Sequence, residues 1–175
     1  MKGNMDKNFS IEESEILEGV LIIKYNTHTD LRGEIWTTFH NEIESKLLPN
    51  NLNFKHDKFS KSKKNVLRGF HGDTKSWKLV TCVSGQIQQV IIDCRKNSQT
   101  YLRYHSFLIT DESKISVLIP PKMGNAFAVL SESAVYHYKL AYGHFFENKD
   151  GEAALQEILL SLKYFEADQH THLLA

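Results

Sequence analysis

Only two cysteines occur in the chain, Cys82 and Cys94. They form no Cys-x-x-Cys pair, so neither a disulfide framework nor a zinc–cysteine site is suggested, and a reducing cytoplasm fits. Charge of one sign is lacking as well. Lysine plus arginine and aspartate plus glutamate stand at 21 each, which argues against a broad nucleic-acid-binding face. No uncharged run approaches bilayer length, and residues 1–10 are polar with no apolar leader core. A soluble cytoplasmic chain with no membrane or nucleic-acid partner is therefore expected. Gly-x-Ser-x-Gly, P-loop and Gly-x-Gly-x-x-Gly patterns are all missing. Hydrolase and nucleotide-motor readings are left without a motif.

What the chain does contain is a rhythm of short apolar runs broken by turn residues. At 175 residues it can bury one good core, and a single domain is expected. Strands are expected over 19–25 and 34–39, joined by Asp30-Leu31-Arg32-Gly33, and over 54–60, 66–71, 78–83, 86–94, 101–109, 117–119, 127–130 and 135–141. Ser84-Gly85 between two of these runs predicts a hairpin. Ile43, Leu47 and Leu48 at helical spacing before Pro49 predict a short helix near 41–48. Leu155, Ile158, Leu159 and Leu162 predict a C-terminal helix within 152–166. This spacing of eight or more strands favours a β-sandwich or small barrel.

Between Lys55 and Arg68 the cations Lys55, Lys58, Lys61, Lys63, Lys64 and Arg68 face one acid, Asp57. Two readings fit: an edge strand guarded by lysines, or a rim that attracts phosphate.

Chemistry concentrates in Val66-Leu67-Arg68-Gly69-Phe70-His71-Gly72-Asp73. A fixed cation and a titratable imidazole three residues apart can hold an anion and move a proton beside it. Taken singly, His71 is more often a strand-end histidine and Arg68 a surface charge. Strand parity would also send the two to opposite faces, unless a bulge at Gly69 turns both inward. In Val135–Ala141, alternation sets Tyr136, Tyr138 and Leu140 against His137 and Lys139. Tyr138 is then either a buried phenol bonded to backbone or an acid opposite His71. No His-x-His pair follows His71, and Asn125, a poor transition-metal ligand, stands in the downstream segment Ile119–Asn125. A metal-free site is expected.

Asp30-Leu31-Arg32-Gly33, Ser60-Lys61-Ser62, Val66–His71, Lys78-Leu79-Val80, Gly85, Asp93-Cys94-Arg95, Ile119-Pro120-Pro121 and Tyr138-Lys139 occur in the order of one family. From about Gly19 to Tyr142 the chain resembles the dTDP-4-dehydrorhamnose 3,5-epimerase family. The resemblance implies an all-β fold, a cupin-type jelly-roll barrel over 19–142, between an N-terminal arm (1–18) and a helical tail (143–175). It implies a homodimer that epimerises a 4-keto sugar on a nucleoside diphosphate without cofactor or metal. Carried over, His71 is the base, Tyr138 the acid, Lys78 the enolate stabiliser and Asp168 the aspartate that orients the base. Arg68 would grip the diphosphate. Arg32 and Glu34 would reach the nucleotide, often across the dimer, with Lys61 and Ser62 near the same end and Asn125 contacting substrate. Asn125 in place of a histidine, and Gly72-Asp73 after the base, look like the branch that acts on GDP-linked 6-deoxy-4-keto-heptoses for surface polysaccharide. The family's usual tryptophan–proline segment is missing from the tail. Two rival classes are a cupin that binds a nucleotide sugar without turning it over, and a metal-dependent cupin oxygenase.

Overall fold

The protein is described by a computed structural model over residues 9–39, 46–49 and 52–142. Its strands are β1 (Phe9–Glu13), β2 (Leu21–Tyr25), β3 (His28–Asp30), β4 (Gly33–Ile35), β5 (Phe54–Lys63), β6 (Leu67–His71), β7 (Trp77–Ser84), β8 (Gln86–Asp93), β9 (Tyr104–Thr110), β10 (Ile115–Ile119), β11 (Met123–Val129) and β12 (Ser133–Ala141). They form a six-stranded sheet in the order β1-β2-β10-β7-β12-β5, a four-stranded sheet in the order β6-β11-β8-β9, and the ribbon β3-β4. The two larger sheets share one core. Val80, Val117 and Ile119 from one pack with Ile87, Ile91, Ile109 and Phe127 from the other, because each strand sends alternate residues to its inner face.

The all-β character is as expected, but the closed jelly-roll barrel is not found. Both sheets stay open, with β1 and β5 at the edges of the larger and β6 and β9 at the edges of the smaller. Among the described residues no ladder joins an edge of one sheet to an edge of the other, so the architecture is a sandwich. On the edge strand β5, Lys55, Lys61 and Lys63 are exposed and guard the unpaired backbone with charge. Of the two helices expected, the first is described only at its end, where Lys46 and Leu47 are helical. Of 41–48 only 46–48 are described, and 152–166 lies outside the described residues. No helix among the described residues is long and apolar enough to cross a membrane.

The hairpin expected at Ser84-Gly85 is corrected too. β7 and β8 belong to different sheets, and Gly85 is the corner between them, with φ +85° and space for a Cβ only 2.3 Å from the Ser133 carbonyl oxygen. Its amide donates to Asp111 Oδ2 at 2.8 Å. A Ser-Gly pair suits any sharp reversal. β8 crosses because Ile87, Gln89 and Ile91 are all fully buried, and as a central strand between β11 and β9 it is covered on both edges.

Two features singled out in the sequence turn out to be architectural. Asp93 is fully buried and accepts from Arg95 Nε at 2.9 Å, from Ser98 Oγ at 2.7 Å and from Thr100 Oγ1 at 2.6 Å, pinning the turn that leads to β9. Burial, with the Asp111 charge adding to it, pushes the Cys82 thiol up to about 11, so it stays an inert core thiol.

Candidate active site

Arg68 and His71 do share a face. On β11, Phe127 opposes Arg68 and Asn125 opposes His71, so three residue steps on β6 match two on β11. The extra residue is accommodated at Gly69, whose φ is +138° and where a Cβ would lie 2.3 Å from Ala126 Cβ. Glycine alone satisfies both the dihedral and the close approach. The bulge aims both side chains into one cavity. Gly69→Ala is expected to lose about 1–3 kcal/mol of stability, read as a lower urea midpoint beside the unaltered protein. An equal midpoint would show that the bulge tolerates a side chain.

The facing wall comes from the larger sheet. On β12, Tyr136, Tyr138 and Leu140 point inward, while His137 and Lys139 on the other face both bond Asp57. Register sets Lys58 of β5 and Val80 of β7 on either side of Tyr138, and Lys78 of β7 beside Leu140. Between the sheets is a cavity of about 280 Å³, lined by Lys58, Ser60, Arg68, His71, Lys78, Val80, Asn125, Phe127, Tyr136, Tyr138 and Leu140. No carboxylate is among these lining residues. His71 lies at the exposed end of β6, while Lys78 and Asn125 are buried.

Hydrogen bonds fix most of the polar groups. Gln89, fully buried, donates through Nε2 to Asn125 Oδ1 and to the Ala126 carbonyl at 3.0 Å. Asn125 Nδ2 donates to Tyr136 Oη at 3.2 Å, and that hydroxyl donates to Gln89 Oε1 at 3.0 Å. The triangle locks the Asn125 amide in place. Burial pushes the Tyr136 phenol above its ordinary range despite the Asn125 and Gln89 bonds, so it stays neutral and serves as scaffold. Ser62 Oγ accepts from Arg68 Nε at 2.8 Å, leaving the terminal guanidinium nitrogens for a ligand. Ser60 Oγ is buried and makes no hydrogen bond.

Of the site residues expected from the sequence, His71, Tyr138, Lys78, Arg68 and Asn125 line this cavity, and Ser62 supports it. Lys61 is exposed on β5 and is not among the lining residues. Arg32 and Glu34 lie elsewhere on the β3-β4 ribbon. Arg32 pairs with Asp30 at 2.5 Å and Glu34 with Lys114 at 3.1 Å. Asp168 lies outside the described residues, and among the described ones no side chain hydrogen-bonds the His71 ring. Lys58, Ser60, Asp73, Gln89 and Tyr136 were not singled out as site residues. Lys58, Ser60 and Ser62 share one face by simple alternation, a signal that was present; Asp73 stood out only as a neighbour of His71, and Gln89 carried no signal.

An imidazole on one sheet and a phenol on the other can take a proton from one face of a ligand and return it to the opposite face. The ammonium beside them can receive charge that develops between the two transfers. Sandwich and site together have the layout of an acid–base isomerase for an anionic substrate. The family model described as dTDP-4-dehydrorhamnose 3,5-epimerase matches residues 14–172. The Salmonella typhimurium dTDP-4-dehydrorhamnose 3,5-epimerase is 35% identical over 123 residues, covering 69% of this chain and 67% of that enzyme. Its Escherichia coli counterpart is 33% identical over 126 residues, covering 70% and 68%. Among solved structures, the Legionella pneumophila epimerase in complex with dTDP-4-keto-L-rhamnose superposes with a TM-score of 0.73 at 28% identity, covering 81% of this chain and 75% of that one. A 4-keto-6-deoxy sugar epimerase from the novobiocin gene cluster of Streptomyces spheroides superposes at 0.71 with 26% identity, covering 80% and 71%. The chain belongs to the dTDP-4-dehydrorhamnose 3,5-epimerase family, and is an enzyme of the isomerase class.

Proposed function

We propose that the chain inverts C3, C5 or both of a 4-keto-6-deoxy sugar carried on a nucleoside diphosphate, as a homodimer, in the synthesis of surface polysaccharide. The observation that carries this reading is the cavity lining. Imidazole, phenol and ammonium surround one space together with Arg68 and Lys58, with no carboxylate among the lining residues. Such a space favours an anionic ligand and proton transfer within it.

The C4 ketone acidifies the C–H bonds at C3 and C5. His71 takes the proton, the bonding pair moves onto the C4 oxygen, and the Lys78 ammonium stabilises the resulting enolate. Tyr138 then donates a proton to the opposite face as the pair returns to carbon and the C4 ketone re-forms. The carbon is inverted with no net oxidation and no group transferred, and solvent takes the proton from His71 and returns one to Tyr138. Arg68, held through Nε by Ser62, keeps its terminal nitrogens for the diphosphate, with Lys61 at the same end. The unbonded Ser60 hydroxyl and the fixed Asn125 amide suit substrate oxygens. Arg32 and Glu34, away from their own chain's cavity, serve the cavity of the second copy. Asp168 orients His71. Asn125 and Gly72-Asp73 favour a GDP-linked 6-deoxy-4-keto-heptose over a dTDP-linked hexose.

Proton NMR in D₂O with each of these two substrates tests the reading. Loss of the C3 or C5 signal is expected, and it identifies both the substrate and the carbon inverted. No exchange with either would leave a nucleotide-sugar binder in place of an epimerase.

A further inference from the structure

Lys78 is a buried lysine in a cationic neighbourhood. Its side chain is 11% exposed, and the cavity it faces holds Lys58 from β5, Arg68 and His71 from β6, and Tyr136 and Tyr138 from β12. Its neighbours along the ladders are Ile119 and Leu140, which offer the ammonium nothing. Burial and the nearby Lys58 and Arg68 charges favour the neutral amine. The opposing group is Asp73, just beyond β6, whose Oδ2 is 3.3 Å from Lys78 Nζ with a side chain only 16% exposed. Among the described residues it is the carboxylate that pairs with Lys78.

The carboxylate is itself held from behind. Oδ1 accepts the amides of Lys75 at 2.9 Å and Ser76 at 2.5 Å, and the Asp73 carbonyl accepts the Lys122 amide at 2.7 Å. One oxygen thus builds the turn into β7 while the other faces the lysine. Resting on the epimerase reading, we propose that Asp73 is the positioning residue of the reaction. It orients the Lys78 ammonium at the cavity wall and keeps it an ion, so that a cation stands where enolate charge develops.

The titration behaviour is consistent. Burial would raise Asp73, yet the Lys78 charge and the Lys75 and Ser76 amides outweigh it and hold the carboxyl below its usual range. Burial draws Lys78 below the usual lysine range, and Asp73 pulls it back up. The sign of the pH effect follows. Without the carboxylate charge Lys78 loses its proton at lower pH, so activity relative to the unaltered enzyme falls as pH rises.

Asp73→Asn is the discriminating variant, because its amide oxygen can still accept the Lys75 and Ser76 amides while the charge is gone. Relative to the unaltered enzyme, kcat is expected to fall progressively with pH, by about tenfold or more near pH 8.5, with KM within about twofold. Asp73→Glu should recover most of the loss. In a parallel ¹³C titration of the Lys78 ε-carbon, the midpoint should move to lower pH in Asp73→Asn. A kcat ratio that is flat with pH, or a Lys78 midpoint that does not move, would overturn the proposal. Should Asp73→Asn not fold, the Asp73→Glu titration decides, since a glutamate that keeps the charge must leave the midpoint within about half a pH unit. The unaltered protein failing to exchange deuterium with any 4-keto sugar nucleotide would refute the epimerase reading instead, and the Lys78 titration reads the Asp73–Lys78 coupling without reference to catalysis.

Discussion

Replacing His71 with asparagine is expected to abolish solvent-deuterium incorporation at the inverted carbon while leaving substrate binding nearly intact. The imidazole is the base in the proposed reaction, and a positioned base of this kind contributes about 10² to 10⁴ in rate. Asparagine keeps some of the polarity and size but cannot take up a proton near neutral pH. His71 lies at the exposed end of β6, so the change opens no hole in the core, and its effect on stability should stay within about 0.5 kcal/mol. The ligand would still meet Arg68, Lys58 and the Asn125 amide. Exchange followed by NMR and affinity followed by calorimetry separate the two effects. A parallel loss of binding and exchange would make His71 a binding residue in place of the base.

Tyr138→Phe should fail differently. The phenyl ring keeps the packing against Tyr136, whose ring centroid is 6.1 Å away, and removes only the hydroxyl. His71 can still withdraw a proton and return a deuteron to the same face, so exchange is expected to continue. Formation of the inverted sugar is expected to fall by about 10² to 10⁴, because no acid remains on the opposite side. Deuterium wash-in compared with the configuration of the recovered sugar gives the answer. Equal loss of both would place Tyr138 outside the proton path.

The two experiments rest on features of unequal legibility. The face assignment on β12 needed only alternation, and Tyr136, Tyr138 and Leu140 line the cavity as that pattern requires. The bulge at Gly69 was legible from a conflict: Arg68 and His71 make sense together only if parity is broken between them, and a glycine stood there to break it. The lysine-rich stretch supported two readings, and the structure divides its residues between two faces. Lys55, Lys61 and Lys63 guard an edge, while Lys58, on the alternate face, enters the cavity.

The misreadings have a common origin. Ser84-Gly85 specifies a tight reversal, yet whether the next strand pairs with the last or crosses to another sheet depends on partners dozens of residues away. Open sheets and closed barrels share the same alternating strands, and the choice lies in whether edge strands meet. Gln89 sits beside Gln88 with nothing local to set it apart, and becomes a site-building residue only because Asn125 and Tyr136 arrive opposite it.

By itself, then, the sequence determined the all-β class, most strand positions, the inward face of β12 and the set of Arg68, His71, Lys78 and Tyr138 that meet at one cavity, because periodicity, turn residues and motif order are local properties of the chain. Only the tertiary structure decided that the sheets form an open sandwich, that Arg32 and Glu34 stand apart from the cavity, and that Asp73 meets Lys78. Those outcomes depend on which distant side chains share a buried space, and there the burial of a charge and its pairing are settled together.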